Sequence, residues 1–417
     1  MTQPSVIDIR RGRVAVSALF FCQGFAFAAL ITRIPAIQEA FALSEGALAG
    51  LLALVPILAG VGSVVAGHLA VRYHSAVVLR VCGLLVSASL VLVGAATTVA
   101  SFPLLLAALV LLGFGLGSVD AAMNMQGIAV QALSGRTVMA SFHAWWSLAT
   151  ILGAVAASVA AGTSLPLVGF MVIIAAVLIP LQLLAGPRLV HERIADLPGA
   201  DPLQSGAVPW RPLLVFGTAV VIAFVVDSSV SNWSAVDLVS VLGASESVAA
   251  LAYAAYAVTM LAGRVVTDRV VTRIGAPPVI RAASLTTALG LVGVALAPDP
   301  GWAIAAFAVV GLGISPILPL AFVAASRHDP GHTGVAVARV NVGNYIGFVL
   351  GAPLVGLIGE FSSLRVGFGV LAVVALGILF TAPSFTGPSF TGPSVTGPSV
   401  TGPSVTGPSV TGGSLGD

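Results

Sequence analysis

Residues 113–127, GFGLGSVDAAMNMQG, and residues 141–154, SFHAWWSLATILGA, belong to two strongly apolar segments joined by a short turn that contains Arg136. Both segments are suited to helices inside a lipid bilayer, yet the first carries Asp120 and the second carries His143. An Asp at the centre of a membrane-spanning helix costs about 2.5 to 3.5 kcal/mol on insertion scales, so it usually faces a partner, a water-filled cavity or a solute. Asp120 is therefore the first candidate functional residue.

The composition of the whole chain indicates an integral membrane protein. Of its 417 residues, 58% are hydrophobic and 8% are charged, whereas soluble proteins have about 25% charged residues. The mean hydropathy is +1.09. Apolar runs recur as far as residue 381, each with the roughly 20 residues that a helix needs to cross the hydrocarbon core. We therefore predict an all-α membrane protein, with no cleavable signal peptide before the first helix.

The apolar runs predict twelve transmembrane helices, and the arginines predict their orientation. All 17 basic residues are arginines, and only Arg33 and Arg365 fall outside the cell if the N-terminus is cytoplasmic. The positive-inside rule therefore places both termini in the cytoplasm. The predicted helices cover approximately residues 14–34, 46–70, 77–97, 103–130, 140–162, 164–185, 212–235, 247–267, 277–297, 301–326, 334–358 and 364–381.

Glycine spacing predicts an internal repeat. Gly113 precedes Gly153 by the same interval that separates Gly311 from Gly351, as expected for two parallel repeats. We therefore predict two pseudo-symmetric six-helix bundles. The predicted divisions are a cytoplasmic N-terminus at 1–13, the N-terminal bundle at 14–185, a central cytoplasmic loop at 186–211, the C-terminal bundle at 212–381 and a disordered tail of Pro-Ser-Phe/Val-Thr-Gly repeats at 382–417.

Polar residues at helical spacing in the first half predict a proton or solute site. On the fourth predicted helix Asp120 shares a face with Asn124, and on the fifth His143 shares a face with Ser147. We predict that Asp120 titrates with Asn124 and His143 as its partners, and that Asn124, together with Gln23 on the first helix, contacts the solute. The alternative is a buried ion pair that only holds two helices together.

The second half contributes four further candidates for solute contact. Asp227 lies about 15 residues into the seventh predicted helix, which is about 22 Å along its axis at 1.5 Å per residue. Trp233 lies near the outer end of this helix, and Asn344 and Tyr345 lie on a polar face of the eleventh. We predict that all four contact solute. The alternatives are helix packing and, for Trp233, a place at the membrane interface.

Charged residues at helix ends predict gates. Asp268 lies between Arg264 and Arg269 at the predicted cytoplasmic end of the eighth helix, where a carboxylate can pair with arginines or with a helix dipole. We predict that these three residues latch the cytoplasmic gate. Arg33, at the outer end of the first helix, is a candidate for the extracellular gate or for an anchoring ion pair with a nearby glutamate.

Several motifs resemble those of the major facilitator superfamily. The G-R-x-x-x-D-R segment at residues 263–269 is similar to a superfamily loop motif. D-x-A-M-N-x-Q-G at 120–127, F-H-x-x-x-S-L at 142–148, R-I-P at 33–35 and W-S-A at 233–235 resemble the MosC-like bacterial subgroup, near the fucose-permease-like branch. The resemblance implies a central cavity between two halves that rock to give alternating access.

The resemblance also implies a role for Asp120 and shows one departure. In fucose-permease-like carriers the fourth helix supplies a membrane-embedded acid for proton coupling, and this position falls on Asp120. The superfamily loop after the second helix usually reads G-x-L-x-D-R-x-G, but this chain has Val71 in place of the Asp. The first half therefore lacks the acid of this loop motif, and Asp268 of the second half is the acid that the motif retains in this chain.

Together these patterns predict a secondary transporter that moves a small polar solute, such as a sugar or polyol, by alternating access with proton coupling. No G-x-x-x-x-G-K-S/T motif occurs in the sequence, so ATP-driven transport is not predicted. The expected partners are the solute, protons and the lipid bilayer of the bacterial inner membrane. We expect a monomer that is not an enzyme and has no cofactor, metal site or nucleic-acid partner. The alternatives are a proton-driven efflux pump for an amphipathic compound and a non-transporting membrane sensor or scaffold.

Overall fold

The computed structural model describes residues 6–43, 45–163, 165–190, 208–329 and 334–386, and they are almost entirely helical. The helices of the first half are α1 (Val6–Ile31), α2 (Ile34–Ala40), α3 (Glu45–Tyr73), α4 (Ser75–Thr98), α5 (Phe102–Ser134), α6 (Met139–Gly162) and α7 (Leu167–Ala185). Those of the second half are α8 (Trp210–Ser240), α9 (Glu246–Ile274), α10 (Ala276–Ala295), α11 (Pro300–Ile314), α12 (Ile317–Ser326), α13 (Val335–Phe361) and α14 (Leu364–Leu376). Short 3₁₀ turns cover Gly186–Arg188, Gly377–Phe380 and Ala382–Phe385.

Twelve segments of the described chain are consistent with membrane spans, which confirms the predicted all-α architecture. Ten are long and apolar enough to cross a membrane by length and composition. The other two are the charged helix α9 and the shorter apolar segment Leu364–Phe380. One prediction is corrected, because the tenth span is divided between α11 and α12. The break falls at Ser315 and Pro316, where proline lacks the backbone N–H that a continuous helix requires.

The two halves use equivalent helix pairs. In the first half α1 packs on α6, α3 and α4 pack on α5, and α4 packs on α7. In the second half α8 packs on α13, α9 and α10 pack on α11, and α10 packs on α14. Glycines permit the close crossings, since a Cβ at Gly153 would lie 2.8 Å from the carbonyl oxygen of Phe25 and a Cβ at Gly351 would meet that of Val225. The repeated glycine spacing therefore reflects repeated helix crossings.

The halves meet through α3 with α13 and through α6 with α9. The Ser63 hydroxyl of α3 donates a hydrogen bond to the carbonyl of Ala338 in α13, at 3.1 Å. A Cβ at Gly67 would lie 2.9 Å from the Cβ of Ala338. These contacts lie near the end of α3 and the start of α13, on the predicted cytoplasmic side of the bundle. The structure is therefore closed on that side.

Described helical structure extends across two predicted boundaries. Helix α1 begins at Val6, inside the predicted N-terminal segment 1–13. Residues 382–386 of the predicted tail pack on the second half, since Phe385 is 1% exposed and its ring lies 5.2 Å from that of Phe216. The composition of the repeats concealed this aromatic contact with the second half. Residues 191–207 of the central loop and 387–417 of the tail lie outside the described residues.

A pair of glycine substitutions tests the close crossing of α3 and α5. A Cβ at Gly117 would overlap the carbonyl of Ala59, whereas at Gly217 no described atom lies within 4 Å. We expect Gly117→Ala to lower the free energy of unfolding by about 1–3 kcal/mol because the helices must separate. Gly217→Ala should be neutral or stabilising, since alanine favours helix. Melting temperatures in detergent measure the difference, and equal values for the two variants would contradict the close crossing.

A candidate proton and solute site between the two halves

The Asp120 carboxylate of α5 is bound by side chains from both halves. Its Oδ2 atom accepts hydrogen bonds from the Tyr345 hydroxyl at 2.9 Å and from the Asn344 amide at 3.3 Å, both on α13. Its Oδ1 atom accepts from the amide of Asn124, one turn away on α5, at 3.4 Å. All of these partners are neutral. Asp120 therefore connects the two halves without forming an ion pair with them.

A chain of hydrogen bonds extends this site along the interface. The Asn344 amide also donates to the Asn341 carbonyl oxygen at 2.7 Å. The Asn341 amide in turn donates to the Ser63 hydroxyl of α3 at 3.2 Å. The predicted contacts of Asp120 with Asn124 are present, and Asn344 and Tyr345 reach the same carboxylate. Side chains of α3, α5 and α13 thus share one polar network.

His143 lies at the same interface but is not among the hydrogen-bond partners of Asp120 in the described structure. Its ring contacts Phe20 edge-on at 5.1 Å and stacks near Phe322 of α12 at 6.1 Å, centroid to centroid. Its Nε2 atom is buried and has no hydrogen-bond partner within the described residues. The expected partnership of Asp120 with His143 is replaced by aromatic packing between the halves.

The second membrane-embedded acid, Asp227 of α8, is bound within its own half. Its Oδ1 atom accepts a hydrogen bond from the Tyr256 hydroxyl of α9 at 2.5 Å. Arg264 of α9 acts on the same carboxylate electrostatically. Asp227 therefore joins α8 to α9 within the second half, through the Tyr256 hydroxyl.

Arg264 and Gln23 meet around Trp146 of α6. The Arg264 guanidinium donates from Nη1 to the Ser147 hydroxyl of α6, and its central carbon lies 5.9 Å from the centroid of the Trp146 ring. The Trp146 indole N–H donates to the Gln23 side-chain oxygen of α1. The predicted gating arginine is therefore a buried residue at the interface, adjacent to a predicted solute-binding glutamine.

Asp268 caps a helix of the opposite half. Its two carboxylate oxygens accept from the backbone N–H groups of Ala140 at 3.1 Å and Ser141 at 2.9 Å. These groups belong to the first turn of α6, where backbone donors lack partners and the helix dipole favours negative charge. Arg269 is exposed beside it. The contact closes the predicted cytoplasmic side through a carboxylate and a helix end, rather than through an ion pair with Arg269.

The contacts of Arg33 and Trp233 lie within single halves. Arg33 donates to the carbonyl of Leu165 at 3.3 Å, and its guanidinium lies 5.7 Å from the centroid of the Phe170 ring. The Trp233 indole donates to the carbonyl of Ala352 at 2.8 Å. In this conformation Arg33 joins the end of α1 to α7, and Trp233 joins α8 to α13. The Trp233 contact is of the helix-packing kind, whereas Arg33 contacts a backbone carbonyl and an aromatic ring and not a glutamate in the described structure.

Sequence reasoning overlooked two polar residues of the site: Tyr256, which binds Asp227, and Ser63, which binds Asn341. Tyr256 had a usable signal, because a phenol buried in a spanning helix needs a hydrogen-bond partner and the chain has only 4 tyrosines. Ser63 had none, since most serines in apolar helices bond to a carbonyl of their own helix. Its partners belong to α13 and became visible only in the folded structure.

Sequence relatives match this chain over most of its length. The family model of the Major Facilitator Superfamily matches residues 215–400. An MFS-type transporter of Yersinia pestis is 31% identical over 376 residues, which covers 89% of this chain and 94% of the relative. The membrane protein MosC of Rhizobium meliloti is 28% identical over 375 residues, which covers 89% of this chain and 88% of MosC.

The fold is also similar to that of a solved transporter. The E. coli fucose:proton symporter FucP, in its outward conformation, superimposes with a TM-score of 0.75 at 16% identity, covering 90% of this chain and 98% of FucP. The equivalent helix pairs of the two halves, the extended match to the Yersinia transporter and this likeness of fold agree with one another. The chain belongs to the major facilitator superfamily of membrane transporters.

Proposed function

We propose that this protein is a proton-coupled secondary transporter that moves a small polar solute, such as a sugar or polyol, across the bacterial inner membrane by alternating access. The observation that carries the proposal is the half-buried Asp120 carboxylate, bound across the two halves by Tyr345 and Asn344. FucP, which shares the fold, is a fucose:proton symporter, and this supports the solute class and the coupling ion.

The charge of Asp120 links proton binding to opening of the closed side. An ionised carboxylate costs far more to bury than a neutral carboxyl unless it is paired, and the described partners of Asp120 are neutral. This closed conformation therefore favours the neutral, protonated form of Asp120, and loss of the proton favours a conformation in which water reaches the carboxylate. Binding and release of the proton thus shift the balance between the closed arrangement of α5 and α13 and one in which these helices separate.

The solute contacts the groups that line the same interface. Gln23 of α1, Asp227 of α8, and Asn344 and Tyr345 of α13 supply donors and acceptors from both halves. Tyr345 and Asn344 bind Asp120 in the closed state, so solute that competes for these donors also loosens the carboxylate. Solute and proton thus act on one contact, which is the physical requirement for coupling their movements.

Replacing the coupling acid tests this proposal. We expect Asp120→Asn to abolish solute accumulation driven by an inward proton gradient, because the amide cannot bind or release a proton. Exchange of labelled for unlabelled solute should persist, since it needs no net proton movement. Both are measured in proteoliposomes with a sugar or polyol selected by thermal shift, together with a pH-sensitive dye inside the vesicles.

The matched control is Asp299→Asn. Asp299 is exposed and caps α11 by accepting from the N–H of Trp302 at 2.9 Å, a role that asparagine performs equally well. This variant should retain full proton-driven accumulation. Unchanged accumulation and proton uptake by Asp120→Asn would sink the proposed coupling role.

The helix cap formed by Asp268 gives a second prediction. Asp268→Ala removes the carboxylate that accepts from the N–H groups of Ala140 and Ser141, and loss of a cap costs about 0.5–2 kcal/mol. We expect the population open on the predicted cytoplasmic side to rise by a factor of about 2 to 30 relative to the closed one. Distances between spin labels at Arg136→Cys and Arg273→Cys, with Cys22 and Cys82 replaced by alanine, report the change by electron resonance.

Thr272→Ala is the control for this measurement. Thr272 is exposed one turn beyond Asp268, and its hydroxyl donates to a carbonyl of its own helix. The label-to-label distances should remain those of the wild type. A distance distribution for Asp268→Ala that matches the wild type would show that the cap does not stabilise the closed state.

A further inference from the structure

We propose that Arg264 binds an anionic group of the transported solute, so that the substrate is a hydroxylated carboxylate such as a sugar acid. This inference rests on the proposed transport function and specifies the chemical class of its solute. It also assigns Arg264 a ligand that the gating prediction did not foresee.

The guanidinium of Arg264 is buried with incomplete bonding. Only 7% of the residue is exposed, and a guanidinium offers five N–H donors. Within the described residues Nη1 donates to Ser147, whereas the buried Nε has no hydrogen-bond partner. A planar cation with free donors matches the two oxygens of a carboxylate. The geometry therefore favours an anionic ligand at this position.

A second open donor position lies on the opposite half. His143 is 4% exposed and lies one turn from Ser147 on α6. Its Nε2 atom is buried without a hydrogen-bond partner in the described structure, and it can donate in one of the two neutral tautomers. Arg264 lies close enough to act on His143 electrostatically. Arg264 and His143 thus each have a buried side-chain nitrogen without a described partner, on opposite halves and on either side of Ser147, whose hydroxyl accepts from Arg264 and donates to the His143 carbonyl.

The charges around Arg264 fit cotransport of an anion with a proton. The ionisable groups that act on Arg264 are Asp227, Tyr253 and Tyr256, from α8 and α9. Asp227 accepts its hydrogen bond from Tyr256, so it offsets the cation through space and leaves the guanidinium donors open. An anion adds one negative charge to the bundle, and protonation of Asp120 removes one. The loaded transporter then has the same net charge as the empty one.

The neighbouring side chains fit the hydroxylated part of such a solute. The Trp146 ring beside the guanidinium offers a flat apolar face that can pack on a sugar ring. Gln23, which accepts from the Trp146 indole, retains amide donors for hydroxyl groups. A carboxylate on Arg264 with a polyhydroxylated body over Trp146 uses all of these groups.

Matched pairs of ligands test the proposal. Thermal stabilisation of the purified protein and uptake into proteoliposomes are compared for D-glucuronate with D-glucose and for D-galacturonate with D-galactose. We expect the acids to stabilise the wild type more strongly than the neutral sugars. Arg264→Gln should weaken acid binding about 10- to 100-fold, the equivalent of one charge-assisted hydrogen bond. Arg264→Lys, which retains the charge but not the two-pronged geometry, should be intermediate.

Arg273→Gln provides the matched control, because Arg273 is exposed near the end of the same helix; it should bind the acids like the wild type. Equal stabilisation by acids and neutral sugars, no stabilisation by either acid, or full acid binding by Arg264→Gln would each overturn the proposal. If Arg264→Gln is unstable, the double variant Asp227→Asn/Arg264→Gln decides. Restored acid binding in that variant would show that Arg264 only balances Asp227.

The failure of the proposed function can be distinguished from the failure of this inference. Proton coupling is measured with Asp120→Asn, whereas anion selectivity is measured by binding to Arg264 variants. Acid-selective binding without proton-driven uptake in the wild type would overturn the coupling and leave the anion site. Proton-driven uptake of neutral sugars with no preference for acids would overturn the anion site and leave the coupling.

Discussion

A carboxylate inside a membrane bundle must obtain its hydrogen-bond donors from the protein, since lipid offers none. Asp120 obtains two of its three donors from α13, on the other half of the molecule. The hydrogen bonds of the Asp120 carboxylate therefore depend on the relative position of the two halves. Packed helices can hold the halves in more than one arrangement, and the described arrangement supplies Asp120 with the Tyr345 hydroxyl; in another arrangement, water in a cavity or a solute must take its place. This dependence makes a local protonation event relevant to the whole fold.

The scaffold around this contact is symmetric, whereas its chemistry is not. The turn between α5 and α6 and the equivalent turn between α12 and α13 are bonded in the same way. In the first, the Gln131 side chain accepts from the N–H of Val138 at 2.9 Å; in the second, the Asp329 side chain accepts from the N–H of Ala336 at 3.4 Å. Yet the interval that relates Gly113 to Gly311 places Leu318 opposite Asp120 in the repeat. A repeated set of helix crossings can therefore support polar groups that occur only once.

The closing contacts show the same asymmetry. Asp268 of the second half caps α6, but Val71 occupies the acidic position of the corresponding loop in the first half. There α3 meets α13 through the Ser63 hydroxyl and the close approach of Gly67 to Ala338. One side of the interface is thus held by a charge on a helix end, and the other by small side chains and a neutral hydrogen bond.

Much of the fold could be predicted because it follows from length and composition. The apolar runs located the helices, and glycine spacing indicated the repeat, since close crossings need small residues. Asn124 could be placed beside Asp120 because the two are one turn apart on a single helix. The neighbours of His143 could not be predicted, because each residue turns the helix by about 100°. A shift of one or two residues in a predicted span therefore redirects its side chains, and Tyr345 reached the carboxylate instead.

The two membrane-embedded acids, Asp120 and Asp227, differ in whether their hydrogen bonds depend on the relative position of the halves. Asp227 accepts from Tyr256 within the second half, so its hydrogen bond can persist while the halves move. Asp120 accepts from Tyr345 across the halves, so its bond must break when they separate. In the proposed mechanism a proton on Asp120 therefore changes the relative stability of the two conformations, whereas a proton on Asp227 chiefly changes the field around Arg264. By this argument Asp120 is suited to coupling, and Asp227 to holding a cation ready for its ligand.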